Sequence, residues 1–214
     1  FLFDTGEVFT AGWQGNGEKG DGGTNNRYYS KRVGRCNNDG GGFSYENQTQ
    51  QFQGSHGSRG TGLMIDIQAI KIGTSNEGDY ANNSSSTMGA LDINGQLWTW
   101  GYNGHSGLGR NFRYNNNWYD SYVPSKIPQQ VFDNRKIRDF WLGGGNYQQG
   151  HALDEDGNLW GWGYNGYGAL GLGDDQYQGQ PRKVPYDFNR HGGIKKIIKA
   201  GYNSYIITAV LTHD

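Results

Sequence analysis

Hydrophobic and polar residues alternate in the same way along three segments of the chain. These segments, Phe1–Gly20, Ala90–Gly109 and Ala152–Gly171, align without gaps at offsets of 89 and 62 residues. In Trp98-Thr99-Trp100 and Trp160-Gly161-Trp162 the alternation has the period of two that is typical of a β-strand. In each segment, apolar residues also lie on both sides of a predicted turn. The pattern therefore predicts that every repeat opens with a β-hairpin.

The turn of each predicted hairpin is marked by a glycine at the same aligned position. The dipeptides are Thr5-Gly6, Asn94-Gly95 and Asp156-Gly157. Asn-Gly and Asp-Gly favour a two-residue type I′ turn, in which both central residues have a positive φ. The flanking apolar side chains are predicted to form the structural core, and the best candidates are Leu91, Leu153, Trp98, Trp100, Trp160 and Trp162.

A second short apolar element also repeats and ends at a glycine each time. Ile70–Gly73 matches Phe140–Gly143 and Ile198–Gly201. No stretch shows a sustained helical period of 3.6 residues, so the chain is predicted to be all-β. Four prolines lie between the two strand blocks, where they are expected in loops because proline fits poorly in central strands. They are Pro124, Pro128, Pro181 and Pro185.

Tandem units of short strands with glycine-rich connections are typical of a β-propeller. We divide the chain into unit 1, residues 1–89 with a long loop insertion at 21–62, unit 2, residues 90–151, and unit 3, residues 152–214 with the start of the next strand. Three units form an incomplete ring or part of a larger one. Because both ends fall mid-pattern, we expect the chain to be a fragment of a longer polypeptide.

The stretch from Ala152 to Gly173, followed by Pro181 and Val184-Pro185, resembles the repeat of the regulator of chromosome condensation family. Ala90–Gly109 matches the same repeat, and Phe1–Gly20 matches it less well, with Ala11 where the family has tryptophan. The resemblance implies blades of a propeller that usually closes with seven. It also implies several alternative functions: a nucleotide exchange factor for a small GTPase, a plant ultraviolet-B photoreceptor, a secreted β-lactamase inhibitor, or a scaffold or virion protein.

The composition narrows the classes of function. The formal net charge is −1 and only 18% of the residues are charged, so nucleic acid is not the expected partner. The chain has 38 glycines, and its 14% of aromatic residues argue for a folded core. Cys36 is the only cysteine, which excludes an internal disulfide and a metal site built on several cysteines. No apolar run is long enough to predict a transmembrane helix.

No arrangement of residues predicts catalysis, a cofactor or a metal. Asp154–Gly157 resembles the beginning of a calcium loop but lacks the later acidic ligand, so a hairpin turn is the better interpretation. His151 precedes a repeat strand and is predicted to be packed or bonded to the backbone. His105 and Tyr167 occupy aligned loop positions, which are either solvated or facing a ligand.

Two segments rich in Tyr, Asn and Gly with arginine anchors have the composition of binding loops. We predict that both emerge from the same propeller edge, because each follows the glycine turn of its unit. A packing or oligomer contact and disorder are the alternatives for the first segment. The candidate binding residues are Arg27, Tyr28, Tyr29, Arg32, Arg35 and Tyr45 in the first, and Arg113, Tyr114, Trp118 and Tyr119 in the second.

These observations predict a non-enzymatic propeller that is a structural or binding module. The low charge and polar aromatic loops favour an attachment, fibre or decoration component of a larger assembly, such as a virion or a cell surface. The alternative is a soluble regulatory propeller that binds a protein in the manner of an exchange factor or an enzyme inhibitor. Expected partners are another protein, further copies of this chain, or a cell-surface receptor or glycan.

Overall fold

The computed structural model describes most of the three predicted units. For β2, β6 and β7, introduced below, and for most of residues 200–206, it describes the backbone alone. The described ranges are 1–12, 17–20, 27–33, 66–73, 86–110, 113–114, 117–118, 120–143, 147–202 and 205–213.

The described residues form fourteen strands and three short 3-10 helices. The helices are Gly104–Ser106, Gln129–Phe132 and Phe188–His191. In chain order the strands are β1 Phe9–Gly12, β2 Arg27–Arg32, β3 Ile67–Gly73, β4 Thr87–Asp92, β5 Leu97–Gly101, β6 Arg113–Tyr114, β7 Asn117–Trp118, β8 Ser121–Lys126, β9 Ile137–Gly143, β10 Gln149–Asp154, β11 Leu159–Gly163, β12 Gln178–Lys183, β13 Ile194–Tyr202 and β14 Tyr205–Thr212.

Two complete antiparallel sheets of four strands have the arrangement of propeller blades. We call β3-β4-β5-β8 the first blade and β9-β10-β11-β12 the second blade. The pairs β1-β2 and β13-β14 lie before and after them in the chain. The predicted all-β propeller class is confirmed. Each blade takes its first strand from the end of one predicted unit and its other strands from the next.

The tight turns differ from the predicted type I′ geometry. The Gly95 N–H donates to the Asp92 carbonyl at 3.0 Å, and the Gly157 N–H donates to the Asp154 carbonyl at 3.1 Å. Each turn therefore spans four residues, and only its glycine has a positive φ, 77° at Gly95 and 84° at Gly157. Asn94 keeps a negative φ because its N–H donates to the Asp92 carboxylate at 2.9 Å, which stabilises the alternative turn.

The fourth strand of each blade was not predicted from the sequence. Pro124 lies in β8 and Pro181 lies in β12, although both were predicted in loops. Each of these strands is at the outer edge of its sheet. An edge strand tolerates proline because one side of it needs no ladder donor.

The predicted loop insertion at 21–62 is interrupted by β2. This strand pairs antiparallel with β1, with Thr10 opposite Lys31, and Val33 just after it is buried. Arg27, Tyr28, Tyr29 and Arg32 therefore belong to a strand, which corrects their assignment to a loop.

The third strand that was predicted to end at glycine, Ile198–Gly201, is offset by one residue from its predicted match, Phe140–Gly143. Gln149 pairs with Gly143 in the second blade. The residue aligned with Gln149 in the last sheet is Ile207, and it pairs with Ala200. Ala200 rather than Gly201 therefore takes the position of Gly143, and the structural equivalent of Phe140–Gly143 is 197–200.

The six predicted core side chains are all buried, with exposures of 0–4%. Trp100 and Trp162 also link successive blades. The Trp100 indole Nε1 donates to the Glu18 carbonyl at 2.8 Å, and the Trp162 Nε1 donates to the Gly107 carbonyl at 2.9 Å. Glu18 and Gly107 are aligned residues of the glycine-rich loops. Each blade is thus fastened to the loop of the blade before it.

Candidate functional site

The two edges of the blades carry different kinds of connection. At one, the turn edge, β4 joins β5 and β10 joins β11 through the short turns described above. At the other, the loop edge, longer segments follow β5, β9 and β11. Because antiparallel strands return the chain to the same edge, these three segments emerge side by side. The loop edge is therefore where side chains from different blades can combine.

Two asparagines hold the loop-edge segments in the same shape. Asn103 and Asn165 are aligned and fully buried. The Asn103 Oδ1 accepts from the Leu108 N–H at 3.1 Å, and the Asn165 Oδ1 accepts from the Leu170 N–H at 3.0 Å. The next residues of the first loop include His105, whose φ is +52°. This left-handed backbone sets the position from which the imidazole contacts the second blade.

His105 lies among tyrosines from the two loops of the second blade. Its ring stacks on Tyr147 with centroids 4.7 Å apart, and it meets Tyr164 and Tyr177 edge to face, each at 5.4 Å. Tyr164 in turn contacts Tyr147 at 4.7 Å and Tyr167 at 6.4 Å. We call these five residues the aromatic patch.

The aromatic patch has a buried base and an exposed rim. Tyr164 is only 6% exposed, whereas Tyr167 is 59% exposed and Tyr177 is 49% exposed. Large rings that remain exposed while packed on each other form a fixed surface, and they lose little conformational entropy when they bind. The sequence left a ligand-facing role open for His105 and Tyr167, and both residues belong to this patch.

A half-buried carboxylate, that of Asp120, is bonded to the loop that carries His105. Burial raises the pKa of Asp120 to about 7, the Asn103 N–H lowers it by donating at 2.9 Å, and the charge of Glu18 raises it further. Burial also raises the pKa of the Tyr102 hydroxyl, and the charges of Asp120 and Tyr147 raise it again. Asp120 and Tyr147 therefore both lie close enough to the Tyr102 hydroxyl to act on it electrostatically.

His151 has the structural role predicted for it. It is 1% exposed, and its Nε2 lies 3.3 Å from the Leu170 carbonyl. Burial holds the pKa of His151 well below its usual value, and the charge of Lys199 lowers it too. The half-buried Lys199 ammonium donates to Gln149 Oε1 at 3.0 Å, and burial lowers its pKa. The imidazole is consequently neutral and fixed within the second blade.

The candidate calcium-loop residues are used by the turn itself. The Asp154 carboxylate accepts from the Asp156 and Asn158 N–H groups at 3.0 and 2.8 Å. It also accepts from the Trp160 indole Nε1 at 3.0 Å. Within the described ranges there is no group of three or more His, Cys, Asp or Glu residues arranged to hold a metal.

The predicted binding residues lie in three different situations. Arg113, Tyr114 and Trp118 belong to β6 and β7, a hairpin inside the loop that joins β5 to β8, and β7 contacts the helix that carries His105. The strand β2 carries Arg27, Tyr28, Tyr29 and Arg32. Arg35, Tyr45 and Tyr119 lie outside the described residues. That the two segments emerge from the same propeller edge stays a prediction.

Parts of the chain are similar in sequence to known proteins. The Regulator of chromosome condensation (RCC1) repeat matches residues 156–206. The chain is also 37% identical over 97 residues to the ultraviolet-B receptor UVR8 of Arabidopsis thaliana. Residues 156–206 are therefore similar to an RCC1 repeat. The match to UVR8 covers 44% of this chain but only 19% of the receptor, so the chain spans about a fifth of its relative.

Solved structures of RCC1 proteins share the fold. Yeast RCC1 (Prp20) bound to Kap60 superposes with a TM-score of 0.56 at 17% identity, over 92% of this chain and 37% of that one. Prp20p from Saccharomyces cerevisiae gives 0.53 at 18% identity, over 99% and 43%. At these identities the likeness shows an RCC1-type propeller and nothing finer. None of the helices in the described part of the chain is long and apolar enough to span a membrane.

The sequence pattern did not identify Tyr147, Tyr164 and Tyr177 as members of a site. The signal for one of them was present, because Tyr164-Asn165-Gly166-Tyr167 aligns with Tyr102-Asn103-Gly104-His105. A repeated Tyr-Asn-Gly step followed by an aromatic ring indicates a loop that places rings side by side. Tyr147 and Tyr177 come from other segments, and only the fold brings them to the same place.

Proposed function

We propose that this chain is a protein-binding propeller module and that the aromatic patch is the centre of its contact surface. The observation that carries the proposal is the set of five rings packed at one edge, two of them about half exposed. Rings of this kind supply much of the binding energy at protein interfaces. The patch draws on loops of both complete blades, so it exists only when the propeller is folded.

The neighbouring hairpin extends the proposed surface. Because β7 contacts the helix that carries His105, the candidate residues Arg113, Tyr114 and Trp118 lie next to the patch along the chain's own path. Yeast RCC1 (Prp20) is bound to Kap60 in one similar structure, and Prp20p has binding properties to Gsp1p and histones, which supports a protein as the kind of partner. A non-enzymatic role follows from the same proposal, since the patch needs only to bind.

The alternative of an attachment, fibre or virion component stays a prediction from composition. The described residues give it no specific support, because a polar aromatic edge serves a soluble regulator equally well. The exchange-factor-like alternative is compatible with the family, and the same surface would carry it. The attachment role and the exchange-factor-like role differ in the partner that is bound, whereas the proposed binding surface is the same for both.

A photocrosslinking experiment tests the proposal at one position of the patch. A photoreactive phenylalanine replaces Tyr177 in one variant and Tyr186 in another. Tyr186 is the matched control because it is 53% exposed and lies beside His191, but at the turn edge. We expect the Tyr177 variant to crosslink to one defined protein of the source organism and the Tyr186 variant not to do so.

The captured protein is then purified and bound to the whole chain. His105→Ala and Tyr177→Ala are each expected to weaken binding at least tenfold, on the order of 1.4 kcal/mol or more. Tyr186→Ala should change it less than twofold. Equal crosslinking from both positions, or a partner insensitive to both patch substitutions, would contradict the proposed surface.

A further inference from the structure

Three Asn-Gly steps of the repeats lie in different surroundings. Asn94-Gly95 belongs to the turn between β4 and β5, whereas Asn103-Gly104 and Asn165-Gly166 lie in the loops that follow β5 and β11. Asn103 and Asn165 are fully buried, and Asn94 is exposed. The same dipeptide therefore occurs once at the surface and twice in the interior. Asn16, which precedes Gly17 in a fourth such step, lies outside the described residues.

The two buried asparagines are held through their side-chain amides. The Asn103 Oδ1 accepts from the Leu108 N–H at 3.1 Å, and the Asn165 Oδ1 accepts from the Leu170 N–H at 3.0 Å. The Asn165 Nδ2 also donates to the Asp174 carbonyl at 2.9 Å. These bonds hold the loops in shape, so neither amide can reorient unless its loop unfolds.

The side-chain amide of Asn94 is not restrained in this way. In the described part of the chain it makes no hydrogen bond, and the residue is anchored through its backbone N–H, which donates to the Asp92 carboxylate at 2.9 Å. The Gly95 N–H donates to the Asp92 carbonyl at 3.0 Å. Opening this turn breaks few bonds, so it costs less free energy than unfolding a buried loop.

An asparagine that precedes glycine is prone to lose ammonia, because glycine has no side chain to hinder the approach of its backbone nitrogen. In this reaction the Gly95 nitrogen forms a bond to the Asn94 Cγ, and the side-chain amino group leaves as ammonia with the proton of that nitrogen. Water then opens the resulting succinimide at one of its two carbonyls. Opening at Cγ gives aspartate. Opening at the backbone carbonyl gives isoaspartate, in which the main chain runs through Cγ.

We propose that Asn94 is a site of spontaneous deamidation in the folded protein and that the fold protects Asn103 and Asn165 from the same reaction. This modification site lies at the turn edge, so it is independent of the aromatic patch and of the function proposed for that patch.

Isoaspartate is the product that alters the structure. The residue aligned with Asn94 in the second blade is Asp156, so this turn accommodates aspartate. Isoaspartate instead adds a main-chain carbon directly before Gly95, whose carbonyl accepts from the Ile137 N–H at 2.9 Å. Because Ile137 begins the second blade, isoaspartate at this position weakens the contact between the two blades.

The test is incubation of the whole chain at pH 8, followed by tryptic digestion and mass spectrometry with fragmentation that locates each new acid. A sample digested without incubation gives the background. Asn94 should convert about tenfold faster, or more, than Asn103 and Asn165. In guanidinium chloride the three rates should agree within about threefold, because only the fold distinguishes the three steps. Conversion of Asn94 should also be faster at pH 8 than at pH 6, since the attacking nitrogen must lose its proton.

The matched control for stability is Asn94→Asp, which is the aspartate product without the isoaspartate. The isoaspartate form, separated by chromatography, should unfold roughly 2–4 °C below this variant, as expected for the loss of about one hydrogen bond. Equal conversion of the three asparagines in the folded chain would overturn the proposal. Conversion of Asn94 in guanidinium chloride alone would overturn it as well. An isoaspartate form as stable as Asn94→Asp would overturn the effect on the contact between blades.

Discussion

The two complete blades satisfy the same buried carbonyl in different ways. In the first blade the Thr99 hydroxyl donates to the Leu108 carbonyl at 2.8 Å, and Gly89 lies opposite it across the ladder. In the second blade the aligned carbonyl is that of Leu170. Gly161 stands in place of the threonine, and His151, opposite it, makes the contact at 3.3 Å.

The exchange shows which part of the repeat is fixed. In each blade, one residue of a cross-strand pair donates to the carbonyl and the residue opposite it is a glycine. The donor lies on the later strand in the first blade and on the earlier strand in the second blade. Thr10 donates to the Lys19 carbonyl at 2.6 Å in the first unit, so the hydroxyl solution occurs twice. The histidine is then a substitute for a threonine, and its chemistry as an acid or base is not what the site requires.

The largest effect is expected where the two blades are alike. Trp162→Ala removes a fully buried ring and its bond to Gly107, and Trp100→Ala removes the equivalent ring and its bond to Glu18. Each substitution should lower the free energy of unfolding by about 3–5 kcal/mol. Urea denaturation measures it, with Tyr186→Ala as the exposed control. A loss of less than about 1 kcal/mol in either variant would show that the ring is not a core element.

An intermediate effect is expected where the blades differ. His151→Gly should lower the free energy of unfolding by about 1–3 kcal/mol, because the buried Leu170 carbonyl loses its donor. Adding Gly161→Thr should restore at least half of the loss. A Cβ at Gly161 meets the Leu170 carbonyl oxygen and the His151 ring at 3.3 and 3.4 Å, so the threonine fits once the ring is gone.

The double-mutant cycle has a control within the chain. Gly161→Thr alone should destabilise, because the hydroxyl and the imidazole then compete for one place. A favourable coupling of about 1–2 kcal/mol is the expected sign of the exchange. Additive effects of the two substitutions would mean that they do not share the carbonyl.

The smallest effect is the dependence of stability on pH. The folded pKa of His151 is depressed by burial, so below about pH 6.5 the unfolded chain binds a proton that the folded chain does not. Stability should therefore fall as the pH decreases from about 6.5, by at most about 1.4 kcal/mol per pH unit from this group. The His151→Gly, Gly161→Thr variant should lose this part of the slope. Tm measured between pH 5 and 8 tests it, and an unchanged slope would assign the effect to other groups.

The sequence predicted the elements whose residues act locally. Gly95 and Gly157 mark turns, and the alternation around Trp98 and Trp160 marks strands, because these features depend on neighbours along the chain. The turn type was wrong because the Asp92 and Asp154 carboxylates bind the turn N–H groups. The outer strands β8 and β12 were missed because their prolines and polar residues suit an exposed edge as well as a loop.

The aromatic patch could be predicted only in part. His105 and Tyr167 were open candidates because the repeat aligns them. Tyr147 and Tyr177 lie in segments that the repeat does not align, and only the packing of the two blades brings them to the same imidazole. The pKa of Asp120 likewise depends on burial by residues distant in sequence, which no local pattern records.

The hydrogen bonds that the Trp100 and Trp162 indoles make between blades also favour an order of folding during synthesis. Trp100 bonds to a carbonyl 82 residues earlier in the chain, and Trp162 bonds to one 55 residues earlier. The ribosome synthesises the loop that carries each accepting carbonyl well before the tryptophan whose indole donates to it. Each new blade can therefore pack against a loop that has already been synthesised, and the propeller can be assembled in the order in which it is translated.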